Sequence, residues 1–209
     1  MKNLVITTAL TFLAICALFS QENTRYKHSL RINPIDFGRS EFQLSYELMF
    51  KKSSIVFSPS IILKENPDNS TNGYQAMAQY RFYLTNFNKN DRHTFLNVYN
   101  YGFYTGVYAL FLNFNEEFTQ GFYNPNTSQY ENKLYNRDIT AGEGGVLLGV
   151  RVDITKRIVL DFNLGGGIRK ADVEDSFRET QEYTIEYGVF DRAYTGVKPK
   201  SALTIGVTF

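Results

Sequence analysis

The sequence predicts an all-β protein, an antiparallel up-and-down barrel of eight strands. Eight segments alternate apolar and polar residues with the period of two that half-buried strands show, and turn residues fall between them. No helical period competes with this alternation over a comparable length. A barrel is favoured over an open sheet because closure removes the unpaired edges that promote aggregation.

The first four predicted strands cover residues 27–35, 41–50, 53–64 and 73–84. Pro34 interrupts the alternation of the first, whereas the other three each have one large apolar face. Their intervening positions carry mostly serine, glutamine and charged residues. The positions of the apolar face are Phe42, Leu44, Tyr46, Leu48, Phe50, Ile55, Phe57, Pro59, Ile61, Leu63, Tyr74, Ala76, Ala78, Tyr80, Phe82 and Leu84.

The fifth predicted strand, residues 98–114, is ambiguous because both of its faces are apolar. We expect the apolar face of the other strands to continue through Phe103, Thr105, Val107, Ala109 and Phe111. The opposite face then carries Tyr104, Tyr108, Leu110 and Leu112. Strands six to eight are residues 144–154, 157–170 and 201–209, which again separate large apolar side chains from small or polar ones.

The connections between the strands differ in length at the two ends of the predicted barrel. Residues 51–52 and 155–156 are short links, whereas residues 115–140 and 171–197 are predicted to be two long loops. Residues 85–97 are an exception at the end with the short links. Both chain termini lie at that end, and transmembrane barrels have this asymmetry, with short periplasmic turns and long outer loops.

The residues on the polar face indicate which face is inside. A soluble, lipocalin-like barrel would enclose the apolar face, whereas a transmembrane barrel turns that face towards lipid. Glycines share the polar face with charged residues, which favours the crowded inside of a narrow barrel, and aromatic residues near the strand ends resemble an interfacial girdle. The sequence therefore predicts a transmembrane β-barrel with these charged residues in its lumen: Arg31, Glu47, Arg81, Arg151, Asp153 and Asp161.

The first 20 residues predict a secretory signal peptide. Lys2 precedes an apolar run from Leu4 to Phe19, and Ser20 is a small residue at the expected cleavage site. The single cysteine, Cys16, lies inside this run, so residues 21–209 form the predicted barrel without disulfides. Without Lys2, basic and acidic residues balance at 21 each, and no basic block indicates nucleic-acid binding.

The last strand resembles the C-terminal signal of outer-membrane barrel proteins. Alternating apolar residues end on an aromatic one, in the pattern Leu203, Ile205, Val207 and Phe209. With the eight-segment pattern, the predicted barrel resembles small eight-stranded outer-membrane proteins of the OmpA/OmpX type. This resemblance implies a place in the outer membrane of a Gram-negative cell, contact with outer-membrane lipid and recognition of the last strand by the barrel-assembly machinery. We expect no periplasmic domain after Phe209.

The lumen of an eight-stranded barrel is just wide enough for side chains to fill it. Lone buried charges are costly, so we expect the six charged residues to pair across the lumen as a structural polar core. A proton or ion path through the same residues is the alternative. The sequence predicts no cofactor, metal or catalytic site.

The predicted function is a non-enzymatic barrel with a structural, surface-recognition or envelope-assembly role, and with an envelope protein or surface ligand bound at the long loops. One alternative is a carrier or narrow pore for small hydrophobic molecules, favoured by the apolar inner face of strand five. A second is a lipid-A-modifying barrel enzyme. Such enzymes use a histidine near the outer leaflet, whereas His28 and His93 both fall at the predicted periplasmic end.

Overall fold

The computed structural model describes residues 28–66, 69–84, 100–124, 129–175, 188–189 and 191–209. The predicted signal peptide and its cleavage site therefore lie outside the described residues. The strands are β1 (His28–Ile32), β2 (Glu41–Met49), β3 (Ser53–Asn66), β4 (Asn69–Tyr83), β5 (Asn100–Asn124), β6 (Gln129–Asp153), β7 (Ile158–Asp175) and β8 (Gly196–Thr208). No helix within the described ranges is long and apolar enough to cross a membrane.

The eight strands form one closed antiparallel ring in chain order. This topology confirms the predicted eight-stranded up-and-down barrel. The ring closes where β1 pairs with β8, in a register that places Leu30 opposite Val207 and Arg31 opposite Gly206. Gly206 is required there, because a Cβ atom at this position would lie 1.9 Å from the carbonyl oxygen of Leu30. Reciprocal backbone hydrogen bonds between His28 and Phe209 extend this seam to the last residue.

Alternate residues point into the barrel and away from it, as the pleat of a strand requires. The inward positions include buried charged residues, and the outward positions hold apolar side chains that are about half exposed. The ambiguous fifth strand follows the prediction, with Val107 55% exposed and Tyr108 4% exposed. Large outward side chains include Ile55, Phe57, Ile61, Leu63, Tyr74, Tyr80, Phe82, Phe103, Phe111, Val146, Leu148, Phe162, Leu164, Ile168 and Ile205.

The short connection between β1 and β2 is a 3₁₀ helix, Pro34–Arg39. Proline fits the first position of this helix because its missing N–H group has no partner there. The side chain of Asn33 caps the turn by accepting a hydrogen bond from the backbone N–H of Ile35, at 3.2 Å. Proline thus ends the first strand and begins the turn.

The prediction of a long loop at residues 115–140 is wrong. Residues 115–124 continue β5 and residues 129–140 begin β6, so each of these strands has 25 residues. Asn115 pairs with Asp138 in the ladder, and the rings of Phe118 and Tyr135 stack with centroids 5.9 Å apart. Residues 171–175 and 196–197 of the second predicted loop also belong to strands. The earlier alternation does not continue because the apolar side changes here. Outward positions such as Asn136 and Asp138 are polar and exposed, whereas inward positions such as Tyr135 and Ile139 are apolar and buried.

The end of the β5–β6 hairpin extends past the pairing of its neighbours. The pairing of β4 with β5 ends at Phe118, and the pairing of β6 with β7 ends at Arg137. Among the described residues, residues 119–124 pair with residues 129–134 of the same hairpin and with no other strand.

We expect that replacing residues 119–134 with an Asn-Gly turn leaves the barrel folded. The two-residue turn matches the twist of the flanking strands, and the removed residues contribute no pairing to another strand. Circular dichroism should retain the β signal per residue, and the thermal midpoint should shift by only a few degrees. Loss of cooperative unfolding in this variant would show that the hairpin is needed to form the ring.

Candidate functional site

The structure brings the predicted lumen charges to the half of the barrel that contains the chain termini. The residues come from five strands, β1, β2, β4, β6 and β7, and their side chains meet at the centre of the ring. All except Asp153 are at most 2% exposed. We call this set the inner network: Arg31, Glu47, Arg81, Arg151, Asp153 and Asp161.

Glu47 is the centre of the inner network. Its carboxylate accepts a hydrogen bond of 2.6 Å from Nη1 of Arg151, and Nη1 of Arg31 lies 3.3 Å from the same oxygen. Nη1 of Arg81 lies 3.7 Å from the other oxygen. Three hydroxyl groups also donate to this carboxylate, from Ser29, Ser54 and Tyr83. Both oxygens therefore carry several donors, as a buried ionised carboxylate requires.

Asp161 is the second anion of the inner network. One of its oxygens lies 2.8 Å from Nη1 of Arg81 and 3.1 Å from Nη1 of Arg31. The other accepts a hydrogen bond of 2.9 Å from the hydroxyl of Tyr104. Nε and Nη1 of Arg31 form no contact with the geometry of a hydrogen bond, so this residue acts mainly through its charge. Arg31 and Arg81 thus bridge the two carboxylates.

Asp153 does not join this centre. Its carboxylate is 18% exposed and lies 3.0 Å from Nε of Arg151. With this residue, the inner network has three cations and three anions, and their charges balance. Gly149 makes room for the ring of Tyr104, because a Cβ atom there would lie 2.4 Å from the ring carbon Cζ. Arg81 in turn lies over that ring, 4.4 Å from its centroid.

The lumen is partly apolar next to the inner network. Residues on the inner face of β5 form a buried cluster with residues of β4 and β6. Tyr108, Leu110 and Leu112 are each at most 4% exposed, so the expectation of an apolar inner face on this strand is confirmed. The remaining members include Met77, Phe114, Ile139, Ala141 and Leu147.

The half of the lumen opposite the chain termini contains a cavity of about 1110 Å³ that the sequence did not indicate. We call it the outer cavity, and three ion pairs stand on its wall: Arg169 with Glu143, Arg137 with Glu116, and Arg192 with Glu41. Lys198 and Lys200 of β8 also line it. Residues 198–200 alternate two lysines with a proline, which is a pattern that fits a strand, but the predicted eighth strand began only at residue 201.

The 3₁₀ helix contributes Asp36 to the rim of the outer cavity. Burial, and to a smaller extent the nearby charge of Glu41, raises the pKa of this carboxyl to about 6. The side-chain amide of Asn33 donates a hydrogen bond of 2.6 Å to Asp36. Asp36 therefore changes its charge near pH 6.

His28 lies away from this cavity. The ring of His28 stacks on Tyr46 and on Phe209, with both centroid distances 5.9 Å, and its Nδ1 lies 2.6 Å from the Tyr46 hydroxyl. This contact is at the end of the barrel that carries the termini, and His93 lies outside the described residues. Among the described residues, no group of three or more His, Cys, Asp and Glu side chains is arranged to hold a metal ion.

The predicted assembly-signal residues form the outward face of β8. Leu203 pairs with Phe162 of β7, and Ile205 lies between Leu160 of β7 and Ile32 of β1. Val207 and Phe209 continue this face at the seam of the barrel. The four residues thus belong to a strand that has partners on both sides, and their role in assembly stays a prediction.

No family model and no curated protein matches this sequence. Among solved structures, the N-terminal β-barrel domain of OprF from Pseudomonas aeruginosa is similar over 87% of this chain and 95% of that domain. The sequence identity is 9% and the TM-score is 0.33. The assignment of the barrel fold rests on the strand pairing of this chain.

We expect Glu47→Gln to lower the free energy of unfolding by about 3–5 kcal/mol, the usual cost of breaking a buried ion pair from one side. The substitution leaves three buried arginines with a single enclosed carboxylate between them. Urea unfolding of the barrel in lipid vesicles measures the effect. Asp153→Asn is the matched control, and an equal loss in both variants would contradict the central role of Glu47.

Proposed function

We propose that the protein is a non-enzymatic integral barrel of the outer membrane, with a lumen closed by the inner network. The observation that supports this proposal is the distribution of charged and apolar side chains between the two faces of the barrel. Charged side chains such as Arg31, Glu47 and Arg81 are buried inside, whereas large apolar side chains cover the outside. In water this arrangement would be unfavourable, because exposed apolar surface on this scale marks a contact with protein or membrane. In a bilayer, lipid covers it and every strand edge is paired.

Aromatic residues at the two ends of the apolar band support the same orientation. Tyr74 and Phe111 contact each other near the outer end, with ring centroids 6.4 Å apart. At the other end, Tyr46 and Phe209 flank the ring of His28. Aromatic girdles at both interfaces are typical of transmembrane barrels. The β2–β3 and β6–β7 turns and both termini then face the periplasm, and the long β5–β6 hairpin faces the outside.

The contacts of the titratable residues favour a non-enzymatic role. A general base needs a free lone pair within reach of a substrate, but donors saturate the carboxylates of Glu47 and Asp161. His28 lies at the periplasmic end of the proposed orientation, away from the outer leaflet that contains lipid A. This placement does not favour the lipid-A-modifying alternative.

The outer end offers a surface for an envelope protein or another surface ligand. The β5–β6 ladder continues beyond Phe118 and Arg137, where the described residues of β4 and β7 no longer pair with it. A role in recognition or envelope assembly fits this geometry, because loops and extensions on a rigid scaffold commonly carry binding sites. A carrier of small hydrophobic molecules is the second candidate, and the apolar cluster on β5 favours it.

We expect no steady channel of nanosiemens conductance in planar bilayers. The inner network fills the ring from wall to wall, and its side chains are nearly inaccessible to solvent. A Glu47→Ala/Asp161→Ala double variant removes both central anions and provides the comparison. Steady conductance in the unmodified protein would overturn the closed lumen, and fractionation into the soluble periplasm would overturn the membrane location.

We expect Phe209→Ala to reduce the amount of inserted barrel more than Phe162→Ala does. Both side chains belong to the outward face, but the proposed assembly signal includes only Phe209, which also stacks on His28 at the seam. The measurement is the fraction of heat-modifiable protein in the outer membrane. Equal reductions in the two variants would show that Phe209 contributes only as a lipid-facing aromatic residue.

A further inference from the structure

The outer cavity has the size and enclosure of a ligand site. Its volume of about 1110 Å³ is slightly above the range of about 300–1000 Å³ that is usual for small-molecule pockets. It begins at Gln43 and Met77 inside the ring and reaches Asp36 and Phe118 at the rim. The cavity thus opens at the end opposite the chain termini and lies above the closed inner network.

Among the described residues, no carboxylate forms an ion pair with either of the two lysines on the wall. Glu143 binds Arg169, with its oxygen 2.5 Å from Nη2, and also accepts a hydrogen bond from Tyr108. Nζ of Lys198 donates to a backbone carbonyl, that of Asp191, at 2.7 Å. Nζ of Lys200 lies 5.2 Å from the centroid of the Tyr108 ring, and the described residues supply no hydrogen bond or ion pair to it. The ammonium group of Lys200 therefore has hydrogen-bond donors that an anionic ligand in the cavity can accept from.

A row of glycines keeps the space around these lysines open. In the register of β7 and β8, Gly167 pairs with Lys198 and Gly165 pairs with Lys200. On the other side, Gly167 pairs with Gly145, which pairs with Tyr108. A Cβ atom at Gly167 would lie 2.6 Å from the Tyr108 hydroxyl, so a larger residue would occupy the space in which the tyrosine and lysine side chains meet.

The wall of the same cavity also has an apolar part. Met77 of β4 and Leu110 and Leu112 of β5 line it, and each is at most 4% exposed. Leu110 is paired in the ladder with Glu143, which is paired with Arg169. Cationic and apolar surfaces therefore lie side by side in one enclosure. An inorganic ion would use only the first of them.

We propose that the outer cavity binds a small organic anion, with its carboxylate or phosphate group on Lys198 and Lys200 and its apolar part on Leu110 and Leu112. The ligand is a soluble molecule that enters from the outer end, since the strands separate the cavity from the lipid-facing wall. The inner network below it prevents passage, so the site binds its ligand without transporting it. This inference goes beyond the proposed function, and only the direction of entry rests on that proposal.

Titration calorimetry on the full-length barrel in nanodiscs tests this site with four probes. Two are aromatic anions, 4-nitrophenyl phosphate and 4-nitrobenzoate, which distinguish a phosphate from a carboxylate ligand. The neutral 4-nitrobenzyl alcohol tests the need for charge, and inorganic phosphate tests the need for an apolar part. We expect saturable binding of at least one aromatic anion, no saturable binding of the alcohol, and at least tenfold weaker binding of inorganic phosphate.

The Lys198→Gln/Lys200→Gln double variant should weaken the binding of the aromatic anion at least tenfold. Lys170→Gln is the matched control, since it also removes one lysine charge near the end of β7 but from an exposed position outside the cavity. Unchanged affinity in the double variant, or equal losses in the control, would overturn the site. Equal affinity for inorganic phosphate would overturn its apolar part. Binding that persists in a protein that fails to insert into membranes would retain this inference and reject the proposed function.

Discussion

The pairing of two buried carboxylates with three arginines across the lumen is the interaction on which the rest of this barrel depends. Glu47 and Asp161 are 0% exposed, and strands far apart in the chain supply their partners. Arg151, for example, is 104 residues away from Glu47 in sequence. Each charge would be strongly unfavourable in a closed lumen without the others, because a buried ion needs both a counter-charge and hydrogen bonds. The ring can therefore bury these residues only when all of its strands are in register.

The inner network also divides the lumen into two functional parts. Below and at the level of Glu47, side chains fill the ring, as expected for an eight-stranded barrel. Above it lies the outer cavity, and Gly165 of β7 is part of its wall. Glycine opposite a large polar side chain makes room for Tyr104 at Gly149 and for Tyr108 at Gly167. The inner network closes one end of the outer cavity, and this arrangement favours the binding of a ligand over the conduction of ions.

The outward face and the long hairpin follow a different constraint from the lumen. The apolar band requires a covering medium along the whole ring, whereas the part of β5 and β6 beyond the ring has no such band. At the base of this part, the two strands are stabilised by their own ladder and by pairs such as Arg137 with Glu116 and Phe118 with Tyr135. The ring and the end of the hairpin are therefore stabilised by different contacts.

The sequence by itself determined the eight strands, their antiparallel order and the facing of each strand that crosses the ring. Period-two alternation carries this information because one face meets the lumen and the other does not, and even the ambiguous β5 followed it at Val107 and Tyr108. Residues 115–140 depart from this pattern, since their outward face is polar and apolar residues such as Tyr135 and Ile139 face inward, so the apolar face of the other strands does not continue there. The partners of Glu47 and Asp161, the separation of Asp153 from them, and the cavity beside Lys200 depended on the tertiary structure. Those contacts depend on the register of the strands and on the closure of the whole ring. No local pattern in the sequence predicts either of them.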